Sequence, residues 1–182
     1  MNHAPAKEKI LNAAFKIIRE EGVAKLTLDR AAKIAGLSKG GVLYHFNTKD
    51  DLIKAMLQLM ISLWENLHQE HAGKLQGGPE RYLKAMILTA FDPKSPHHDP
   101  AGAALLAAIS TNPELVQPWR DVCNKWVKFY QAEYPDPSLA LLIGLVGDGL
   151  LLHDLIGLDV LSPEVREALK NRMLQMAEGK EK

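Results

Sequence analysis

Apolar residues recur every three to four positions along this chain, and no segment alternates convincingly between apolar and polar residues. This period places apolar side chains on one face of an α-helix, whereas a half-buried strand needs a period of two. With 182 residues, of which 47% are hydrophobic, the chain is long enough to bury a substantial core. The pattern therefore predicts an all-α fold, built as one domain or as two small ones.

Cap residues and glycines predict where the first helices begin and end. Over residues 7–21 the apolar positions form one face of a helix. Thr27 is suited to cap a second helix that ends at Gly36, and Ser38 is suited to cap a third. We expect this third helix to run to about His45.

A long amphipathic helix is predicted next. Residues 48–51 have the spacing of a capping box, in which two side chains satisfy each other's backbone donors. The helix that they open, over residues 48–71, carries Leu52, Met56 and Leu63 on one side. That side is expected to face the core.

Proline marks the start of four later helices, because its fixed φ suits the first helical position and its missing N–H is not needed there. Each of these prolines follows a residue that favours helix caps; they are Pro79, Pro113, Pro137 and Pro163. A short helix of small residues over 101–110 brings the predicted total to nine.

Charge is distributed unevenly along the chain, although the formal net charge is zero. Residues 1–50 contain nine Lys and Arg against five Asp and Glu, while residues 51–182 contain thirteen against seventeen. A basic first segment on an acidic remainder is expected where one end of a protein meets a polyanion. The single cysteine, Cys123, excludes an internal disulfide framework and fits a reducing compartment.

Residues 27–46 have the pattern of a helix-turn-helix. Ala32 lets the two helices approach closely, Gly36 accepts the backbone angles of the turn, and Val42 anchors the second helix from beneath. The outer face of that helix then presents side chains suited to the major groove of DNA. They belong to Ser38, Lys39, Gly40, Gly41, Tyr44 and His45.

Several further motifs surround the helix-turn-helix at regular spacing. They are Ile10-Leu11-Asn12-Ala13-Ala14-Phe15, Gly22, Thr27-Leu28, Ala35-Gly36-Leu37-Ser38-Lys39-Gly40, His45-Phe46 and Lys49-Asp50-Asp51-Leu52. Together they resemble the N-terminal domain of the tetracycline-repressor (TetR) family, without a gap over residues 5–65. The resemblance implies two helical domains. A three-helix DNA-binding domain would span residues 5–50, a linking helix 48–71, and an effector-binding and dimerisation domain 51–182.

The resemblance also implies a function and a set of DNA contacts. It implies a bacterial, cytoplasmic, one-component transcriptional regulator, usually a repressor that a small molecule releases from a double-stranded operator, with no enzymatic activity and no cofactor. Thr27 and Lys49 correspond to phosphate contacts, and the remaining contacts correspond to Ser38, Lys39, Gly40, Gly41, Tyr44 and His45. Many members carry Gly-Thr-x-Tyr on the third helix, whereas here the tyrosine is displaced to Tyr44. Whether the tyrosine's phosphate role moves with it stays open.

A second copy of the chain is expected, because one recognition helix contacts only a few base pairs. In the family the last two helices pack against their symmetry mates, which here would be Pro137–Ile156 and Pro163–Ala177. The first of these helices carries a track of small residues bordered by leucines, and burial within one subunit is the alternative explanation. The predicted interface residues are Ala140, Gly144, Gly147, Leu151 and Leu155. The apolar run over residues 139–158 also has the length of a membrane span, but its charged residues favour a buried or interface helix.

An effector pocket is implied between the long fourth helix and the helices that follow. Its candidate wall residues are Met56, Met60, Trp64, Met86, Phe91, Trp126, Phe129 and Tyr130. For each of them an ordinary role in the core is the alternative. Because the set contains few charges, the effector is expected to be small and largely apolar or aromatic.

An all-helical, HD-type metal-dependent phosphohydrolase is the alternative from another class. His97, His98, His153 and Asp154 would then hold divalent metals that activate water. Against this, adjacent residues on a helix point about 100° apart, and the first two histidines lie in a loop with three prolines. The sequence therefore favours a protein without a metal site. A family member that has lost DNA binding and acts as a partner protein is a third hypothesis.

Overall fold

The computed structural model describes residues 5–180, apart from the side chains of His97 and Thr111. Within this part the chain forms nine α-helices and no β-strand, which confirms the predicted all-α fold. The helices are α1 (Ala6–Glu21), α2 (Leu28–Ala35), α3 (Lys39–Leu43), α4 (Lys49–Lys74), α5 (Glu80–Phe91), α6 (Ala101–Thr111), α7 (Gln117–Glu133), α8 (Pro137–Leu155) and α9 (Pro163–Ala177). Short 3-10 helices span Val23–Lys25, Pro96–His98 and Pro113–Val116.

Side-chain caps begin several of these helices as predicted. At α4, the Thr48 N–H donates to Asp51 Oδ2 and the Asp51 N–H donates to Thr48 Oγ1, both at 3.0 Å. This is the reciprocal capping box. Asp136 and Ser162 accept backbone N–H groups at the starts of α8 and α9, where the predicted proline is the first helical residue. Pro113 instead begins a 3-10 helix, after which α7 starts at Gln117.

The chain divides into two compact units that do not follow the order of the sequence. The first unit comprises Met1–Ile61 together with Pro100–Arg120, and the second comprises Ser62–Asp99 together with Asp121–Lys182. Helix α4 contributes residues to both units. The domain division at residues 50 and 51 stays a prediction.

The core of the first unit is built around α1. Its apolar face is buried, and the buried side chains of α2, α3, the start of α4 and α6 pack in the same cluster. The largest fully buried side chains of this cluster are Ile10, Ile17, Leu26, Leu52, Ile53, Met56, Leu105 and Leu115. The unit therefore combines the helix-turn-helix with a helix that lies some fifty residues later in the sequence.

The second unit has its own core, formed by α5, α7, α8 and α9. Its buried members are Leu83, Ile87, Tyr130, Tyr134, Ala140, Ile143, Met173 and Ala177. Leu63 of α4, predicted to face the core, is 49% exposed, whereas Trp64 is 6% exposed and His68 is fully buried. The buried side of the later turns of α4 thus lies one residue further along than the apolar pattern predicts.

Helix α8 is the one helix in residues 5–180 that is long and apolar enough to cross a membrane. Length and composition alone give this result, and core helices of soluble proteins pass the same test. The apolar character of α8 is therefore weak support for a membrane span.

Candidate nucleic-acid interface

Helices α2 and α3 form a helix-turn-helix whose turn is held by side-chain caps. Thr27 Oγ1 accepts the Arg30 N–H at 3.1 Å, and Ser38 Oγ accepts the Gly41 N–H at 3.1 Å. Between the helices Gly36 adopts a left-handed conformation with φ of 67°, which glycine reaches without steric cost. The two caps and the glycine therefore fix the turn where the sequence predicts it.

The inner side of α3 is fixed by packing. Val42 is fully buried in the cluster around α1, and Ala32 of α2 and Phe46 just after α3 are each 4% exposed. Helix α3 itself ends at Leu43, before the predicted end near His45, and hydrogen bonds from the next residues to α3 carbonyls continue the turn. Because its inner side is buried, the opposite side of α3 faces solvent.

The predicted DNA contacts lie on or beside this solvent-facing side. Tyr44 is 85% exposed, and its ring meets the ring of His45 edge-on with 5.1 Å between centroids. Such an exposed tyrosine contributes little to the core and is available to another molecule. Of the other predicted contacts, Thr27, Ser38, Lys39 and Gly40 are exposed, while Gly41, His45 and Lys49 are half-buried.

Packing inside the chain does not require a glycine at the second position of α3. A Cβ built at Gly40 would have no neighbouring atom within 4 Å, whereas one at Gly41 would lie 3.3 Å from Ser38 Oγ. Glycine inside a helix costs about 1 kcal/mol relative to alanine. Gly40 is instead explained by contact with another molecule at the surface, because a residue without a side chain allows a close approach to the backbone.

Both lysines of the predicted contact set are bonded within the chain. Lys39 Nζ lies 3.1 Å from Asp29 Oδ1, and both side chains are 67% exposed. Lys49 Nζ donates to the carbonyl oxygen of Val23 at 2.7 Å and is partly buried. A lysine ammonium has three donors, so each lysine keeps donors for a further partner.

The predicted pocket residues are divided between the two units. Met56 is fully buried in the core of the first unit, and Met60 packs beside it half-buried. The remaining six lie in the second unit: Trp64, Met86, Phe91, Trp126, Phe129 and Tyr130. Four of these six residues have aromatic rings that belong to one cluster: Trp64, Trp126, Phe129 and Tyr130. The cluster also contains the rings of His68 and Tyr82.

His68 belongs to this cluster but, like Tyr82, is not among the predicted pocket residues. Its ring stacks on Trp64 with 5.2 Å between centroids and meets Trp126 edge-on at 4.6 Å. Its Nε2 lies 2.9 Å from the carbonyl oxygen of Tyr82 and must therefore carry the proton, while its buried Nδ1 has no hydrogen-bond partner among the described residues. Burial lowers the pKa of His68 below its ordinary value of 6.5. The sequence signal for His68 is its position four residues after Trp64, which places both side chains on the same face of α4.

We expect this histidine to make the protein less stable in mild acid. Because its pKa is lower in the folded than in the unfolded chain, the unfolded chain binds more protons below about pH 6.5. The free energy of unfolding should therefore fall as the pH is lowered from 7.5 to 5.5. In His68→Phe, which keeps a ring without a titrating group, urea unfolding should show a smaller fall. His45→Gln serves as the control, and an identical pH dependence in all three proteins would contradict the expectation.

The small residues predicted at the dimer interface contact α5 of the same chain. Ala140 is 1% exposed, and a Cβ at Gly144 or Gly147 would lie 3.8 Å from Met86 Cε or 3.9 Å from Ala90 Cβ. Leu151 and Leu155 are half-buried. The exposed apolar side chains of α8 and of its C-cap residue lie on another face: Leu141, Leu142, Leu145, Leu152 and Ile156.

Among the described side chains, those of His98, His153 and Asp154 do not assemble the metal site of the phosphohydrolase alternative. His98 Nδ1 lies 3.3 Å from Asp154 Oδ2, but that carboxylate is also held by both terminal nitrogens of Arg166 at 2.6 to 2.9 Å. Among the described residues, no group of three or more His, Cys, Asp or Glu could hold a metal ion. The His97 side chain lies outside the described part of the structure.

Two protein-family models match parts of the chain. "Bacterial regulatory proteins, tetR family" matches residues 10–56, which include α2 and α3. "Tetracyclin repressor-like, C-terminal domain" matches residues 80–178, more than half of the chain.

Curated relatives and a solved structure agree with these matches. The HTH-type transcriptional regulators AcrR of Shigella flexneri and SrpR of Pseudomonas putida are 29% and 37% identical to the chain over 86 residues. These stretches cover 47% of the chain but only 40% and 38% of the two regulators. A transcriptional regulator from Rhodococcus sp. Rha1 matches with a TM-score of 0.72 at 23% identity, over 97% of both chains. That structural similarity concerns the fold.

Proposed function

Because the chain belongs to the TetR family of bacterial regulatory proteins, we propose that it binds a pseudo-palindromic operator as a homodimer and represses transcription until a small effector releases it. Members of this family are transcriptional regulators rather than enzymes, so the HD-type phosphohydrolase alternative is not supported. A location in the bacterial cytoplasm is part of the proposal.

The exposure of Tyr44 carries the proposal of DNA binding. Its ring is 85% exposed, although Val42 and Phe46, two positions before and after it, are buried in the core and anchor this segment. A recognition helix needs this combination of a fixed inner side and a free outer side, because it must enter the major groove as a rigid body. Gly40 supports the same assignment. No atom of the chain lies within 4 Å of a Cβ built there, so the walls of a DNA groove could approach α3 closely at this point.

We assign the proposed contacts by their positions. Thr27 and Lys49, at the starts of α2 and α4, would bind phosphates, and Lys49 would do so with donors that Val23 leaves free. The groove contacts would come from Ser38, Lys39, Gly40, Gly41, Tyr44 and His45. A partner protein that has lost DNA binding would not need an exposed lysine and an exposed tyrosine at the two ends of one short helix.

The proposed dimer forms through α8 and α9. Leu141, Leu145 and Leu152 of α8 and Ile156 just after it recur at helical spacing, and they are between 36% and 69% exposed. Val165 of α9 is 52% exposed as well. A monomer rarely leaves so much contiguous apolar surface in water. We therefore centre the proposed interface on this exposed face, whereas Ala140, Gly144 and Gly147 support it from within by bringing α8 close to α5.

The proposed effector site is the aromatic cluster of the second unit. Trp64, Trp126, Phe129 and Tyr130 give it an apolar wall, which suits a small, largely apolar or aromatic molecule. Helix α4 would couple this cluster to DNA, because it carries Lys49 in its first turn and Trp64 four turns later. An effector that favours one arrangement of the dimer would then weaken operator binding, and the operator would weaken effector binding by the same factor.

Fluorescence anisotropy on duplex DNA from upstream of the protein's own gene tests the proposal. A scrambled duplex of the same composition is the reference, and both are measured at two salt concentrations. The proposal predicts a preference of about a thousandfold or more for the upstream duplex or for a duplex selected from a random library. Equal, weak and steeply salt-dependent binding to every duplex would contradict it.

Tyr44→Ala is expected to weaken operator binding by about tenfold or more, since a lost groove or phosphate contact costs about 1–3 kcal/mol in each half-site. Tyr44→Phe separates the two roles of this side chain in the same assay. If the hydroxyl binds phosphate, Tyr44→Phe loses most of the affinity that Tyr44→Ala loses; if the ring makes the contact, it keeps most of it. Because the side chain is 85% exposed, neither change should alter thermal stability.

A further inference from the structure

An acidic side chain lies within the proposed DNA-binding surface. Asp29 of α2 and Lys39 of α3 are ten residues apart and face each other across the turn, with Lys39 Nζ 3.1 Å from Oδ1 and 3.3 Å from Oδ2. Both side chains are 67% exposed, so neither is needed to fill the core. A carboxylate at a surface that meets phosphates repels them and therefore needs a reason.

The dipole of α2 explains only part of this arrangement. Asp29 lies in the first turn of α2, where a negative charge interacts favourably with the helix dipole. That interaction does not require contact with Lys39, and it would favour Asp29 equally if the lysine were elsewhere. The ion pair joins α2 to the first residue of α3 and so bears on the recognition helix itself.

We propose that Asp29 is a positioning residue that raises the specificity of DNA binding through Lys39. The proposal rests on the proposed function, because it concerns the same surface. An ammonium group has three donors, and Asp29 occupies one side of it. The lysine can then still donate to a base edge, such as guanine O6 and N7. Asp29 competes with DNA phosphates for the Lys39 ammonium. Lys39 therefore contributes less to non-specific DNA binding.

Removal of the Asp29 carboxylate should therefore strengthen binding to non-operator DNA more than binding to the operator. In Asp29→Asn the freed ammonium reaches any nearby phosphate, and each new phosphate contact adds about 0.9 to the salt slope of the binding constant. We expect binding to a scrambled duplex at low salt to tighten about three- to tenfold, with a slope steeper by about one per subunit. Binding to the operator should change less than about twofold, so the ratio of the two affinities falls.

Glu70→Gln provides a matched control for the change in charge. Glu70 forms an exposed ion pair with Lys74, with 2.6 Å between Nζ and Oε1, and it lies in the second unit. Its replacement raises the net charge by the same amount as Asp29→Asn but leaves the proposed DNA surface intact. Asp29→Glu keeps the carboxylate and should retain most of the specificity.

The experiment measures anisotropy with a duplex selected from a random library by the wild-type protein and with a scrambled duplex. The proteins are wild type, Asp29→Asn, Glu70→Gln, Lys39→Gln and the double variant Asp29→Asn/Lys39→Gln. Support would be a fall in the affinity ratio for Asp29→Asn that is absent in Glu70→Gln and disappears in the Lys39→Gln background. The inference is overturned if Asp29→Asn matches Glu70→Gln, or if its effect persists without Lys39. A wild-type protein that prefers no duplex would overturn the proposed function as well.

Discussion

Replacing Leu145 by aspartate is expected to convert the proposed dimer to a monomer and to weaken operator binding by about a thousandfold or more. Leu145 is 69% exposed and lies in the middle of the apolar face of α8. An aspartate there would bury an unpaired charge in the interface of each subunit, twice across the symmetry axis. A monomer presents one recognition helix, so it loses the second half-site on which specific affinity depends. Sedimentation velocity and anisotropy would measure the two effects.

The control for this variant is Leu63→Asp, which makes the same change at an exposed leucine outside α8 and α9. Leu63 and Leu145 are 49% and 69% exposed, so both variants should keep the helix content of the wild-type protein. Only Leu145→Asp should lose the dimer. If Leu145→Asp stays dimeric at micromolar concentration, or if both variants dissociate alike, the dimer does not form through the apolar face of α8.

Most of the helix starts and ends could be predicted because their causes are local. Thr27, Ser38 and the Thr48–Asp51 capping box bond to backbone groups three residues away, so both partners lie in one short stretch of sequence. Gly36 likewise acts within its own turn. The inner side of the helix-turn-helix was predictable from the spacing of Ala32, Gly36 and Val42, although Val42 itself packs in the cluster around α1.

The side of a helix that faces a neighbour was harder to predict when both sides are apolar. On α4 either the side with Leu63 or the side with Trp64 and His68 could be buried. The aromatic residues of α5 and α7 pack against His68, so the second side is the buried one. On α8 nearly every residue is apolar or small, and contact with Met86 and Ala90 decides that the glycines face inward. Such contacts join residues far apart in sequence, which periodicity alone does not identify.

The place of α6 in the first unit is the clearest case of such a distant contact. Ala101 is fully buried and Leu105 is 1% exposed in the cluster around α1, although they lie some ninety residues after it. Just beyond α6, Asn112 Nδ2 donates to Asp50 Oδ2 at 2.8 Å, in the first turn of α4. Helix α6 therefore completes the core that supports the recognition helix.

Leu105→Ala is accordingly expected to destabilise the helix-turn-helix unit by about 2–5 kcal/mol, because it leaves a cavity beside α1. The neighbouring leucine offers a close control: Leu106 is 40% exposed, and Leu106→Ala should change stability by about 0.5 kcal/mol or less. Hydrogen–deuterium exchange is the appropriate measurement, since a chain with two units need not unfold in one step. Amides of α1 and α2 should exchange faster in Leu105→Ala, whereas those of α8 and α9 should not change.

The same pair of variants tests whether α6 matters for DNA binding. If α6 supports the recognition helix, Leu105→Ala should weaken operator binding near the unfolding temperature of the first unit while Leu106→Ala binds as the wild type does. Faster exchange confined to α6 itself, with α1 and α2 unchanged, would mean that residues before Ile61 hold the helix-turn-helix without it. The burial of Leu105 against the same cluster as Ile17 and Leu52 argues for the first outcome.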